Sequence, residues 1–236
     1  SRAIELLPPQ PPAPRFTALA ERERVYDLLG QRAEQAADLL EMERLVAGLN
    51  DPRAAAETAL RRSQYALALG DYPGARQAAL SAAAQARAVQ AAAVEAAALL
   101  QEGQVLLRQG EYAAALVQMQ AAGELARTAG DRSLGADCLH GEAMAQVYLG
   151  EFDDAHASFE AALAEAVAVG NRRLECTLLN RLSWVPANRN DFRRAIFYVE
   201  QALKLSREIG DRVVEAHALT NLGNSYIQLS DYPRGK

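Results

Sequence analysis

The chain is poor in the residues that usually carry chemistry. It has two cysteines, three histidines, one tryptophan and 6% aromatics in 236 residues. Two cysteines, Cys138 and Cys176, make no disulfide framework, and nothing at the start of the chain reads as a signal peptide. The histidines (His140, His156, His217) are scattered, and no Cys/His cluster has the spacing of a zinc site. No His-Glu-x-x-His or phosphate-binding glycine loop occurs; Gly235-Lys236 lacks everything that should precede it. No apolar run approaches the roughly 18 residues a membrane span needs. Lysine is nearly absent: 23 of the 25 basic residues are arginine, the exceptions being Lys204 and Lys236. This reads as the base composition of a GC-rich bacterium, although arginine also has its own uses as a planar, bidentate donor. A net charge of −5 and a pI near 5.4 argue against a nucleic-acid surface, which needs a clustered basic face. The expectation is a cytoplasmic protein with no cofactor, no metal and no catalytic site, hence not an enzyme.

What the chain has is repetition. Aromatic rings recur at Tyr72, Tyr112, Phe152, Phe192 and Tyr232, every 40 residues. An acid precedes each ring: Asp71, Glu111, Glu151, Asp191, Asp231. Small residues follow the first four at Ala75, Ala115, Ala155 and Ala195, and again at Ala82, Ala122, Ala162 and Ala202. Leu99, Leu139, Leu179 and Leu219 share a column, and Ser63, Gly103, Ala143, Ser183 and Gly223 another. A fixed period of this size marks stacked supersecondary units. Within each, apolar residues spaced three and four apart predict two helices, A and B, of about 18 residues. Gly130, Gly170 and Gly210 suit a left-handed helix end, and Asp131, Asn171 and Asp211 are placed to cap the next helix. The small columns let helices approach closely, and the leucines are expected to fill the layer between successive repeats.

Leu222-Gly223-Asn224-Ser225-Tyr226 followed by Asp231-Tyr232 resembles the tetratricopeptide repeat, in a long subclass of 40 residues rather than the family's 34. The resemblance covers 51–232 well and 17–50 poorly. It implies an all-α, right-handed α-solenoid of about five and a half repeats: 17–50, 51–90, 91–130, 131–170, 171–210 and an incomplete 211–236. Residues 1–16, with five prolines between Pro8 and Pro14, read as an extended proline-rich linker. A chain opening in a linker and stopping early in a second helix is expected to be cut from something longer. Pro186 falls inside helix A of the fifth repeat, which should end or kink near Ser183–Val185. Asn188, Arg189 and Asn190 then form a polar corner, either a tolerated irregularity or a functional one.

By the same resemblance, helix A of each repeat lines a concave groove. In the second and third repeats this face carries Glu57, Leu60, Gln64, Ala97, Leu100 and Gln104. In the fourth to sixth it carries Asp137, His140, Met144, Thr177, Asn180, Trp184, His217, Thr220 and Asn224, flanked by Arg181 and Asn221. Polar and aromatic groups concentrate in the later repeats, so the binding site is expected there. Asparagine amides suit a peptide backbone, arginine suits a carboxylate, and Trp184 is either a groove anchor or a space-filler beside Pro186. The proline-rich start, long repeat and bacterial composition resemble the sensor of STAND-class signal-transduction ATPases. There a protein, peptide or small-molecule effector would occupy the groove, and an upstream ATPase module would read it out. The alternatives are a constitutive peptide-binding adaptor and a structural oligomerisation module.

Overall fold

A computed structural model describes residues 12–229. The twelve helices among them are paired as the period requires, and the chain divides into two compact bodies, residues 1–109 and 110–236. The N-terminal body holds α1 (Pro12–Leu29), α2 (Arg32–Leu49), α3 (Pro52–Ala68), α4 (Tyr72–Ala88) and α5 (Ala92–Gln109). The C-terminal body holds α6 (Tyr112–Thr128), α7 (Arg132–Leu149), α8 (Phe152–Ala168), α9 (Arg172–Leu182), α10 (Trp184–Asn188), α11 (Phe192–Ile209) and α12 (Arg212–Gln228). Helices α1, α3, α5, α7, α9 with α10, and α12 are the A helices. The protein is an all-α repeat solenoid, and no strand occurs among the described residues.

Helix boundaries follow local chemistry. Asp131 and Asn171 accept from the backbone N–H groups of Leu134 and Leu174 at 3.0 and 3.1 Å, and Asp211 accepts from those of Val213 and Val214. Each bond satisfies a donor that the first helical turn leaves free. The preceding glycines, Gly130, Gly170 and Gly210, sit at φ +71°, +72° and +73°, where a Cβ is unfavourable. Gln90 holds the same column at φ +54° without being glycine.

The linker expectation is corrected in part. Helix α1 begins at Pro12, so 12–16 are helical, and the first described repeat, expected over 17–50, pairs Pro12–Leu29 with Arg32–Leu49. Pro12 and Pro14 fall in the first turn, where the missing N–H has no intrahelical partner to lose. Residues 1–11, and the ring motif at Asp231-Tyr232, lie outside the described residues.

The core is built from the small columns. Ala75, Ala115, Ala155 and Ala195, and Ala82, Ala122, Ala162 and Ala202, are all fully buried. Between them runs a column of uneven size, Ala79, Met119, Phe159 and Val199, equally buried. Its volumes are matched locally: a Cβ placed on Gly141 would lie 2.8 Å from Met119 Sδ. The leucine column is less uniform than expected. Leu99 and Leu179 are buried and Leu139 is half-buried, but Leu219 is 46% exposed. Leu179 lies in a cluster with Val199, Ala202 and Leu203 of α11 and Val214 and Ala218 of α12. No described helix covers the corresponding side of α12.

Pro186 does what its chemistry requires. Helix α9 stops at Leu182, Ser183 forms a turn, and the short α10 carries the proline. The Pro186 carbonyl accepts from Asp191 N–H at 2.8 Å, the same bond that closes the A-to-B turn between Ala66 and Asp71 and between Gln146 and Glu151.

Candidate functional site

In the N-terminal body, α1, α3 and α5 line a cavity of about 1050 Å³. Glu57, Leu60 and Gln64 of α3 and Gln104 of α5 face it. Leu100 is buried instead, and Ala97 is half-buried. Much of the charge here is already committed. The Arg61 guanidinium donates to Glu23 Oε2 at 2.6 Å and to the Ala20 carbonyl at 3.1 Å, tying α3 to α1. Gln35 donates to Glu23 Oε1 at 2.7 Å, and Arg32 donates to Asp27 and to Gln35. Two guanidiniums on the cavity wall, Arg24 and Arg108, have no ion pair among the described residues. Gln101 is 5% exposed, lines the cavity, and its Nε2 has no hydrogen-bond partner there. An unpaired buried amide costs on the order of 1–3 kcal/mol, so this wall is better satisfied with an acceptor in the cavity than without one.

The eleven residues expected in the later repeats lie on α7, α9, α10 and α12 of the C-terminal body. His217, Thr220 and Asn224 are exposed on α12, though Thr220 Oγ1 donates to its own helix at the Ala216 carbonyl (3.0 Å). Thr177 does likewise to the Arg173 carbonyl at 3.1 Å. Asn180 departs from the expectation. It is 4% exposed, and its Oδ1 accepts from Asn221 Nδ2 at 3.0 Å. The pair is therefore a rung between consecutive A helices, and Asn180 is not an open contact for a peptide backbone. Trp184 opens α10 half-buried, with the Arg181 guanidinium 4.3 Å from its ring centroid. Met144 packs against the core cluster around Phe159.

His140 is half-buried beside Phe159, their ring centroids 6.2 Å apart. Burial first, and the positive charge of Arg181 second, push its pKa down to about 4. Its buried Nε2 has no hydrogen-bond partner among the described residues. Burial and the neighbouring Asp131 raise the Asp137 carboxyl above its ordinary range. The two thiols are inert: burial pushes Cys138 up to about 12 and Cys176 to about 11. No group of three or more potential metal ligands occurs among the described residues.

Two features were not read from the sequence. One is the tie that Arg61 and Asn221 make back to the preceding A helix at Ala20, Glu23 and Asn180, in a column of which the sequence placed only Arg181 and Asn221, as flanks of the groove. Its signal was present as a polar residue beside the groove-facing column at 61, 101, 181 and 221. The other is the cavity of the early repeats, signalled by the charges of Arg24, Asp27 and Arg108 on A helices and of Arg32 at the start of α2. No described helix is long and apolar enough to cross a membrane.

No protein-family profile matches the chain, and no curated protein matches it. Solved structures do. The apo form of RapI superposes with a TM-score of 0.77 at 15% identity, over 92% of this chain and 78% of that one. NprR in complex with its cognate peptide NprX gives 0.69 at 13%, over 93% and 64%. A Signal Transduction ATPase with Numerous Domains from Pyrococcus horikoshii, carrying a tetratricopeptide repeat sensor, gives 0.73 at 16%, over 97% of this chain and 36% of that one. Paired helices at a 40-residue period and these superpositions make the chain a tetratricopeptide-like repeat in fold, one that resembles the repeat sensor of a STAND ATPase.

Proposed function

We propose that the chain is the effector-sensing part of a larger bacterial signalling ATPase or regulator, working in the cytoplasm and binding its effector on the A-helix face. The observation that carries this reading is the cavity on α1, α3 and α5, with Arg24 and Arg108 uncommitted and the Gln101 amide unpaired. A cavity of about 1050 Å³ is at the upper end of ligand-site volumes and suits a drug-sized molecule or a short peptide segment. Two free guanidiniums and an amide donor favour an effector bearing a carboxylate or phosphate. The C-terminal body offers a second stretch of A-helix face, with Trp184, His217, Thr220 and Asn224 accessible for contact. The fold likeness to a STAND protein with a repeat sensor, and to NprR bound to its peptide, supports this assignment. An effector would signal only by binding one conformation more tightly than another, so its effect equals that difference in affinity.

The test is a thermal-shift screen of metabolite pools and acidic peptides, followed by calorimetry on each stabilising compound. The Arg24→Glu/Arg108→Glu protein should keep its helicity and lose at least tenfold in affinity. Undiminished affinity in that protein would move the site off this face. Saturation by folded protein partners alone would favour the constitutive adaptor.

A further inference from the structure

At two of the five B-to-A turns, successive repeats are joined by an ion pair eight residues apart. Arg87 Nε lies 2.7 Å from Glu95 Oε1, and Arg207 Nε lies 2.9 Å from Glu215 Oε1. At the α6–α7 turn the same two positions hold Arg127 and Gly135. Deprived of its acid, Arg127 turns back on its own helix to Glu124, at 2.6 Å. A second side chain is missing alongside. The column filled by Leu163 and Leu203 in later repeats holds Gly123 here. Where both side chains are absent, a cavity of about 670 Å³ opens, with Gly123, Gly135, Ala126 and Leu139 among its lining. A Cβ on Gly135 would meet nothing within 4 Å.

The charge of the cavity wall is unbalanced. It carries four carboxylates (Glu124, Asp131, Glu142, Glu165) and two guanidiniums, both already used. Arg127 bonds Glu124, and Arg132 Nε bonds Glu165 at 2.7 Å. Asp131 caps α7 through Leu134 N–H. Glu142 has no cationic partner among the described residues, and its Oε1 stands 3.2 Å from where a Gly123 Cβ would be.

We propose that this cavity between α6 and α7 is a binding site for a small organic cation, an amine or guanidine with an apolar body. The cation would pair with the Glu142 carboxylate, and its body would lie on the floor of Leu139, Ala126 and the two glycines. The volume is that of an ordinary small-molecule site, and a partly desolvated carboxylate rewards a cation more than an exposed one does. Burial, followed by the charge of Glu124, already holds the Glu142 carboxyl above its usual range, and a bound ammonium relieves both.

Calorimetric titration of the full chain with phenethylamine, against 2-phenylethanol as the neutral isostere, tests the site. The amine should bind saturably and at least tenfold more tightly than the alcohol. Glu142→Gln should bring the amine to the alcohol's level, with the helical circular dichroism unchanged. Gly135→Glu should offer Arg127 a second acid across the turn, narrow the cavity, weaken amine binding and hold or raise the melting temperature. No saturable amine binding at millimolar concentration would overturn the proposal. So would equal affinity for amine and alcohol, or amine affinity indifferent to Glu142→Gln. Should Gly135→Glu fail to fold, the isosteric Glu142→Gln still decides.

Discussion

Leu179 and Leu219 share a repeat column, so a sequence-level view would assign them equal weight. The structure separates them. Leu179 is 8% exposed and packed between α11 and α12, whereas Leu219 is 46% exposed on α12. Leu179→Ala removes three buried carbons from a cluster held on two sides by helices. That costs the lost transfer energy plus a cavity term, roughly 2–5 kcal/mol in total. Leu219→Ala removes half-hydrated surface and gains slightly in helix propensity, so its effect should stay within about 0.5 kcal/mol. For a chain of this size, the difference corresponds to a melting-temperature gap of roughly 5–15 °C. Repeat arrays need not unfold in one step, so amide exchange is the sharper assay. Leu179→Ala should speed exchange throughout α9, α11 and α12, and Leu219→Ala only near its own site. Equal destabilisation by the two substitutions, or a neutral Leu179→Ala, would refute the packing described for this column.

Gln90→Gly should stabilise. The left-handed conformation at φ +54° costs a non-glycine residue roughly 1–2 kcal/mol, and glycine's extra chain entropy returns part of that. The net gain, about 0.5–1 kcal/mol, should appear as a rise of a few degrees in thermal melts. The lowered pKa of His140 makes the fold acid-sensitive. The neutral ring is favoured when folded, so its contribution is intact above the unfolded value near 6.5. It is lost as pH falls from there to about 4, by at most about 3 kcal/mol. The raised carboxyls of Asp137 and Glu142 act in the opposite sense, stabilising the fold as they protonate. Subtracting the urea-denaturation profile of His140→Leu between pH 7 and pH 4 isolates the histidine. A difference that does not change with pH would show that His140 is not held neutral.

The period, the helix pairing, the caps at Asp131, Asn171 and Asp211 and the break at Pro186 were all legible in the sequence. Each depends on residues close along the chain, through hydrogen bonds, φ preferences and face periodicity. The start of α1 at Pro12 was misread, because proline content was weighed without asking whether the prolines fall in a first turn that needs no donors. The fate of the groove-facing polar residues was not legible. Asn180 looks like a ligand contact in sequence and is instead a rung to Asn221, 41 residues away. Glu23 is satisfied by Arg61 from the next A helix, while Gln101 on the same face has an unpaired amide. The α6–α7 cavity follows the same logic, since two glycines mean little until the structure sets them against positions filled in other repeats. Local sequence thus determined which segments are helical and how often they return. Only tertiary packing decided which polar groups were spent on holding helices together, because that depends on the distance between side chains on different helices, which no single helix encodes.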